Sequence, residues 1–193
     1  MIIWINGAFG VGKSHTSYEL VRRLRNAFLF DPEQVGFFLR KYLPNTDQFD
    51  DFQKNPLWRQ QVLEDLLFCE RQNVTTIVPM TVVDDDIFDF IIGGIKERGI
   101  DIRHFTLMAS KATIEKRLIR RGDKNAWNFK QVDRCLSSLI KTKYATQIDT
   151  EINELDEVVE LIAKETGQQL VKNRFNIVNK KINWLMMTLK NIR

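Results

Sequence analysis

The sequence predicts an α/β fold, a parallel five-stranded sheet between helical layers with an amphipathic helix after it. Short apolar runs alternate with helical stretches along the body, the order that parallel sheets with crossover helices produce. A glycine-rich loop joins the first strand to the first helix. From Thr166 onward the chain changes character, with six basic residues and no acid. Residues 1–167 therefore read as one domain and 168–193 as an appended basic helix.

The elements follow in order. Ile2 to Asn6 is an apolar run of strand length, and Gly12 to about Arg25 is helical with Tyr18, Val21 and Leu24 at core spacing. Ala27 to Phe30 is a second strand. Asp31-Pro32 closes it and suits the cap and first turn of a helix reaching about Tyr42. Pro44 to Pro56 is polar and reads as a loop. Leu57 to about Gln72 is helical, and Thr75 to Met80 is a third strand. Asp84-Asp85-Asp86 opens a helix to Arg98, acids being favourable at the positive end of its dipole, and Gly99 stops it. Ile102 to Met108 is a fourth strand, and Ser110 caps a helix to Arg121. Gly122 to Asn128 is turn-rich. Phe129 to Ile140 is helical, Ala145 to Ile148 is a weak fifth strand, and Asn153 to Thr166 is the last helix of the body.

Bulk properties exclude several classes. The apolar share of 44% and charged share of 28% are those of a soluble globular chain. Met1 to Ile5 is apolar but short for a signal peptide, and no run approaches the ~20 apolar residues that span a bilayer. Cys69 and Cys135 show neither metal nor redox spacing and read as buried, reduced thiols of a cytoplasmic protein. The formal net charge is +4. The body before Thr166 holds 23 basic and 25 acidic residues, so it makes no broad electrostatic appeal to nucleic acid.

Gly7-Ala8-Phe9-Gly10-Val11-Gly12-Lys13-Ser14 matches the phosphate-binding pattern G-x-x-x-x-G-K-[ST]. Glycines let the chain curl so that backbone N–H groups face phosphate oxygens, and the following helix adds its positive end. Lys13 then reaches the β- and γ-phosphates, and Ser14 offers its hydroxyl to Mg²⁺. His15 extends the nucleotide-binding stretch, although as titratable groups His15 and His104 are single and read as structural. The expected fold is the three-layer P-loop NTPase fold, in its nucleoside-monophosphate-kinase-like form, and the expected ligands are ATP and Mg²⁺. The third strand ends without the acid that holds Mg²⁺ in motor-type ATPases, so the ion would rest on Ser14, phosphate oxygens and water, with Asp31 near.

Distinctive strings surround this loop: Met1-Ile2-Ile3-Trp4-Ile5-Asn6-Gly7-Ala8-Phe9-Gly10, Phe30-Asp31-Pro32-Glu33, Asp51-Phe52-Gln53 with Pro56-Leu57-Trp58-Arg59, Ile77-Val78-Pro79-Met80-Thr81, His104-Phe105-Thr106-Leu107-Met108-Ala109-Ser110, and Lys130-Gln131-Val132-Asp133-Arg134-Cys135. In these the chain resembles the tunicamycin resistance ATP-binding protein family, a P-loop branch similar to small-molecule and nucleotide kinases. The resemblance runs from residue 1 to about 135.

A phosphotransferase also needs a base, cations over the transferring group and an acceptor pocket. Asp31 stands at the C-terminal edge of the second strand, where ligands gather in open α/β sheets. In the kinases this chain resembles, an acid in this place faces the acceptor. The alternative is that Asp31 only caps its helix. Glu33 is a weaker candidate. Arg117, Arg120 and Arg121 end one helix and Arg134 lies on the next, an arrangement similar to the lid of nucleotide kinases over about 117–134. Arg121 and Arg134 are the expected catalytic pair, and Arg117 is expected at the nucleotide. Arg40 and Arg59 suit an anionic or hydroxyl-rich acceptor, Trp58 suits a stacked ring or core packing, and Asp50, Asp51 and Thr81 complete the expected acceptor pocket.

In the tail, Phe175, Val178, Ile182, Leu185, Leu189 and Ile192 alternate at three and four residues, an apolar helical stripe beside lysines. Such a helix covers its own domain or a second subunit of a homodimer. Alternatively, residues 172–193 lie on an anionic membrane surface. Three functions are open at this level. One is ATP- and Mg²⁺-dependent phosphorylation of a hydroxyl on tunicamycin or a similar lipophilic nucleoside antibiotic, the reading the resemblance implies. The others are ATP-linked sequestration of the drug without modification, and NTP-dependent regulation through the tail.

Overall fold

Both faces of the first strand are apolar, Ile2, Ile3, Trp4 and Ile5 being buried, and a strand of that kind belongs in the middle of a covered parallel sheet. The computed structural model places it there. It describes residues 1–44, 49–124, 126–144 and 146–172. Of the helix expected over 168–193, residues 173–193 lie outside the described residues. Within 168–172 the chain carries no helix and returns to the domain, where the Val171 N–H donates to Arg23 O at 2.8 Å.

Strands β1 (Ile2–Gly7), β2 (Ala27–Leu29), β3 (Thr75–Pro79), β4 (Ile102–Met108) and β5 (Gln147–Asp149) form one parallel sheet in the order β2-β3-β1-β4-β5. Helices α1 (Lys13–Arg23), α2 (Pro32–Tyr42), α3 (Pro56–Arg71), α4 (Asp85–Phe88), α5 (Gly94–Glu97), α6 (Lys111–Arg120), α7 (Ala126–Leu139) and α8 (Leu155–Glu165) connect and cover it. The helix expected from Asp84 to Arg98 is interrupted by a π turn at Asp89–Gly93. The expected cap signals at Asp31 and Ser110 hold: Asp31 accepts from Glu33 N ahead of a proline at the first helical position, and Ser110 accepts from Thr113 N. Asn55 caps α3 in the same way, accepting from Leu57 N ahead of Pro56. α7 starts at Ala126 rather than Phe129, which draws Trp127 into its first turn.

β1 lies between β3 and β4. The connections from β1 and β3 leave toward opposite edges, so a crevice opens beyond the C-terminal ends of these two strands. Asn6, fully buried at the end of β1, clasps that crevice shut at its base. Its Oδ1 accepts from Gly7 N at 2.8 Å and Val82 N at 3.0 Å, and its Nδ2 donates to Val82 O at 2.8 Å. Thr81 Oγ1 donates to Gly7 O at 2.7 Å beside it. Across the other helical layer, buried Arg23 on α1 reaches Glu160 on α8 at 3.3 Å. Cys135 is buried and Cys69 only half-buried, and both are free thiols. No helix among the described residues is long and apolar enough to cross a membrane.

Candidate active site

The loop between β1 and α1 is held in a conformation that needs its glycines. Gly7, Gly10 and Gly12 have φ of 142°, 82° and 117°, values that side-chain-bearing residues rarely adopt. A Cβ on Gly7 would also stand 2.7 Å from Leu107 O and 2.7 Å from Val11 Cγ1. α1 has no side-chain cap at its start, so its first N–H groups are left for a ligand. Lys13 Nζ is folded under the loop, donating to Gly7 O and Ala8 O at 3.0 Å each. Burial pushes its pKa down from 10.5 to about 8, against the opposing pull of Glu33.

A cavity of about 680 Å³ opens above this loop, within the size range of small-molecule sites. Its floor is Phe9 to Thr16 together with Pro79, Met80 and Thr81 at the end of β3. On the β2/β3 side its wall is Asp31, Glu33, Phe37 and Arg40 of α2 with Asp50 to Gln53. On the other side stand Arg117, Arg120, Arg121, Trp127 and Asn128, and then Thr150, Asn153, Leu155 and Val158 beyond β5. The expected Lys13, Ser14, His15, Asp31, Arg40, Thr81, Arg117 and Arg121 thus meet around one space.

Their bonds define what each can do. Asp31 lines the cavity while capping α2: Oδ1 accepts from Glu33 N and Oδ2 from Gln34 Nε2, both at 3.0 Å. A carboxylate so engaged retains lone pairs for a further donor. Arg117 ties the C-terminal part of α6 to both the loop and the β5 end. It donates to Val11 O at 3.2 Å, Thr150 Oγ1 at 2.9 Å and Thr150 O at 2.7 Å, and burial lowers its pKa. Arg121 pairs with Asp123 at 2.5 Å, and Asn128 donates to the same carboxylate at 2.9 Å. His15 is held toward its neutral form by burial, then by Arg121. Trp127 meets Phe9 edge-on at 5.4 Å between centroids, so the first turn of α7 touches the phosphate loop.

Three expected residues stand elsewhere. Trp58 is fully buried and donates from Nε1 to Pro32 O at 2.9 Å. It packs the core beneath α2 and offers no face to a ligand. Arg59 lies outside the cavity, its guanidinium over the Phe90 ring at 5.2 Å. Arg134 also falls outside the cavity lining. It sits more than two turns into α7, where it bonds Gln131 and reaches Asp51 Oδ2 at 3.7 Å. Arg120, one of the cations expected at the end of α6, lines the cavity with Arg121. Sequence reasoning missed Asn6, Phe37, Phe52, Gln53, Trp127 and the Thr150-to-Val158 wall. Of these, Asn6, Phe52 and Gln53 had a signal, since they lie within the strings that carry the family resemblance.

The residues fit a nucleoside triphosphate: a loop shaped by three glycines at positive φ, open N–H groups and a half-buried lysine face one space. Ser14 supplies a hydroxyl for a divalent ion there. Among the described residues no group of three or more His, Cys, Asp or Glu gathers as a metal site, so the ion would depend on Ser14 and phosphate oxygens.

Comparison with known proteins agrees with this geometry. The model of the AAA domain family matches residues 2–142. The Deinococcus radiodurans tunicamycin resistance protein is 34% identical, with a TM-score of 0.75 over 89% of this chain and 99% of that one. A gluconokinase from Sinorhizobium meliloti (13% identity, TM-score 0.59, 86% of this chain and 90% of that one) and the Mycobacterium tuberculosis APS kinase (13%, 0.57, 86% and 96%) share the fold. No curated protein matches the chain.

Proposed function

We infer the reaction from the family outward: the chain belongs to the AAA domain family, in the branch of the tunicamycin resistance protein. Its kinase-like P-loop fold is that of nucleotide-binding phosphotransferases. We propose that it uses ATP and Mg²⁺ to phosphorylate a hydroxyl of tunicamycin or a similar nucleoside antibiotic. The observation that carries this reading is the cavity whose lining brings the phosphate loop, Arg117, Arg120 and Arg121 together with Asp31.

In this reading the loop N–H groups and Lys13 would hold the phosphates, and Ser14 would hold the metal ion. Bound MgATP supplies an electrophilic phosphoryl group. Asp31 would orient the acceptor hydroxyl and take its proton as the acceptor oxygen bonds the γ-phosphorus and the bond from that phosphorus to the bridging β-phosphate oxygen breaks, releasing ADP. Arg120 and Arg121 line the cavity on the α6 side and would stabilise the charge that develops on the transferring group. Arg117 fixes the lid base so that those two arginines stay over the loop.

The test is Asp31→Asn, which keeps the cap oxygen and removes the base. ATP affinity should hold while transfer to tunicamycin falls by roughly 10² or more. Near-normal transfer would leave Asp31 as a cap only. A second reading, sequestration without modification, is favoured by one observation: β3 ends at Pro79-Met80-Thr81 with no acid for the metal ion. Drug retained unchanged beside bound ATP would select it.

A further inference from the structure

We propose that the acceptor compartment selects by charge, admitting a neutral or cationic hydroxyl compound with a flat face and turning away anions. The inference rests on the phosphotransferase reading and narrows its substrate class. The cavity is electrically divided. Lys13, Arg117, Arg120 and Arg121 line the side of the phosphate loop and lid. On the β2/β3 side the described residues place four carboxylates, Asp31, Glu33, Asp50 and Asp51, and one guanidinium, Arg40.

That guanidinium is already committed. Arg40 Nη2 donates to Phe49 O at 2.8 Å and Asp50 O at 3.1 Å, and the group lies 5.6 Å from the Phe52 ring centroid. It shapes the loop that carries Asp50 and Asp51 rather than offering the forked donors that anions require. Arg59 is turned away over Phe90. Arg134 reaches Asp51 at 3.7 Å from α7, outside the cavity lining. An acceptor phosphate or carboxylate would therefore meet like charges in a partly desolvated space, the arrangement that rejects a wrong ligand most strongly. Phe37 and Phe52 line the same wall and supply apolar surface for a planar ring. The compartment is thus built unlike an acceptor site for a nucleoside monophosphate or a sugar acid, although the fold is shared with kinases of several substrates.

Titration calorimetry on the whole protein saturated with ADP and Mg²⁺ tests this, because the phosphate side is then filled. The probes are uridine and its 5′-monophosphate, which differ in charge at one position. Uridine should bind, and the monophosphate should bind about tenfold or more weakly. Asp50→Asn and Asp51→Asn should each narrow that ratio by about threefold or more. Thermal melts confirm the fold, since the second substitution keeps a side-chain oxygen for the turn cap on Gln53 N. Equal or tighter binding of the monophosphate, or an unchanged ratio in both variants, would overturn the charge selection and leave the phosphotransferase reading standing. Loss of binding for both probes with ADP binding intact would overturn the nucleoside-acceptor reading and this inference with it.

Discussion

Lys13 makes a prediction in which stability and function pull apart. Its ammonium is folded beneath the phosphate loop on Gly7 O and Ala8 O, and burial lowers its pKa from 10.5 to about 8. Each pKa unit is worth about 1.4 kcal/mol, so a fall of about 2.5 units is roughly 3 kcal/mol at full burial. The residue as a whole is only half-buried, and solvent reaching it trims the figure to about 1–2 kcal/mol. Below about pH 8 the lysine is charged in folded and unfolded chains alike, and the fold carries the whole cost. Between about pH 8 and 10.5 the unfolded chain binds more protons than the folded one, so stability rises with pH. The phenol of Tyr144, pushed up by burial and then by Asp85, acts with the opposite sign at higher pH.

The assay is urea unfolding of the ATP-free protein and of Lys13→Met, from about pH 7 to about pH 9.5. At about pH 7 the variant should be the more stable by about 1–2 kcal/mol, and the gap should close toward about pH 9.5. The variant should bind no ATP. In the native protein, phosphates neutralise the cost, so ATP binding near about pH 9 should take up as much as about one proton, and near pH 7 none through this group. A variant less stable than the native protein at neutral pH, or a gap that does not change with pH, would refute the reasoning.

Gly7→Ala should destabilise by about 2–4 kcal/mol and abolish ATP binding, because its Cβ would meet Leu107 O and Val11 Cγ1 at a φ of 142°; a native-like melting temperature would contradict this. Asn6→Ala should cost roughly 3 kcal/mol by leaving Gly7 N, Val82 N and Val82 O buried without their partner, and urea midpoints check it. Asp123→Asn should slow turnover by about tenfold with ATP affinity nearly kept, since Arg121 loses its charged anchor; the comparison of kcat with KM for ATP decides.

Much of this site is legible in the sequence where local chemistry dictates local geometry. The glycine spacing of the loop and the Asp31-Pro32 cap are set by backbone rules, and the structure follows them, while the first strand runs one residue past the expected Asn6 and the third stops one residue short of the expected Met80. What the sequence hides depends on direction. Trp58 and Arg59 are neighbours on α3, and one points into the core while the other points away from the cavity. A pattern read along the chain does not say which helix face meets the acceptor. Asn6 reads as a residue ending a strand, and its clasp on Val82 exists only because β3 lies beside β1. Trp127 was hidden by polar neighbours that resemble a turn, although α7 begins one residue before it. Arg134 does not line the cavity because its place on α7 turns it to Asp51 instead.

The central claim is transfer, and it is tested most directly by mass spectrometry of tunicamycin after incubation with the protein, ATP and Mg²⁺, with Lys13→Met in parallel. The account predicts a drug heavier by one phosphoryl group, ADP in equal amount, and neither product with the variant. Unchanged drug held by the ATP-bound protein would contradict it.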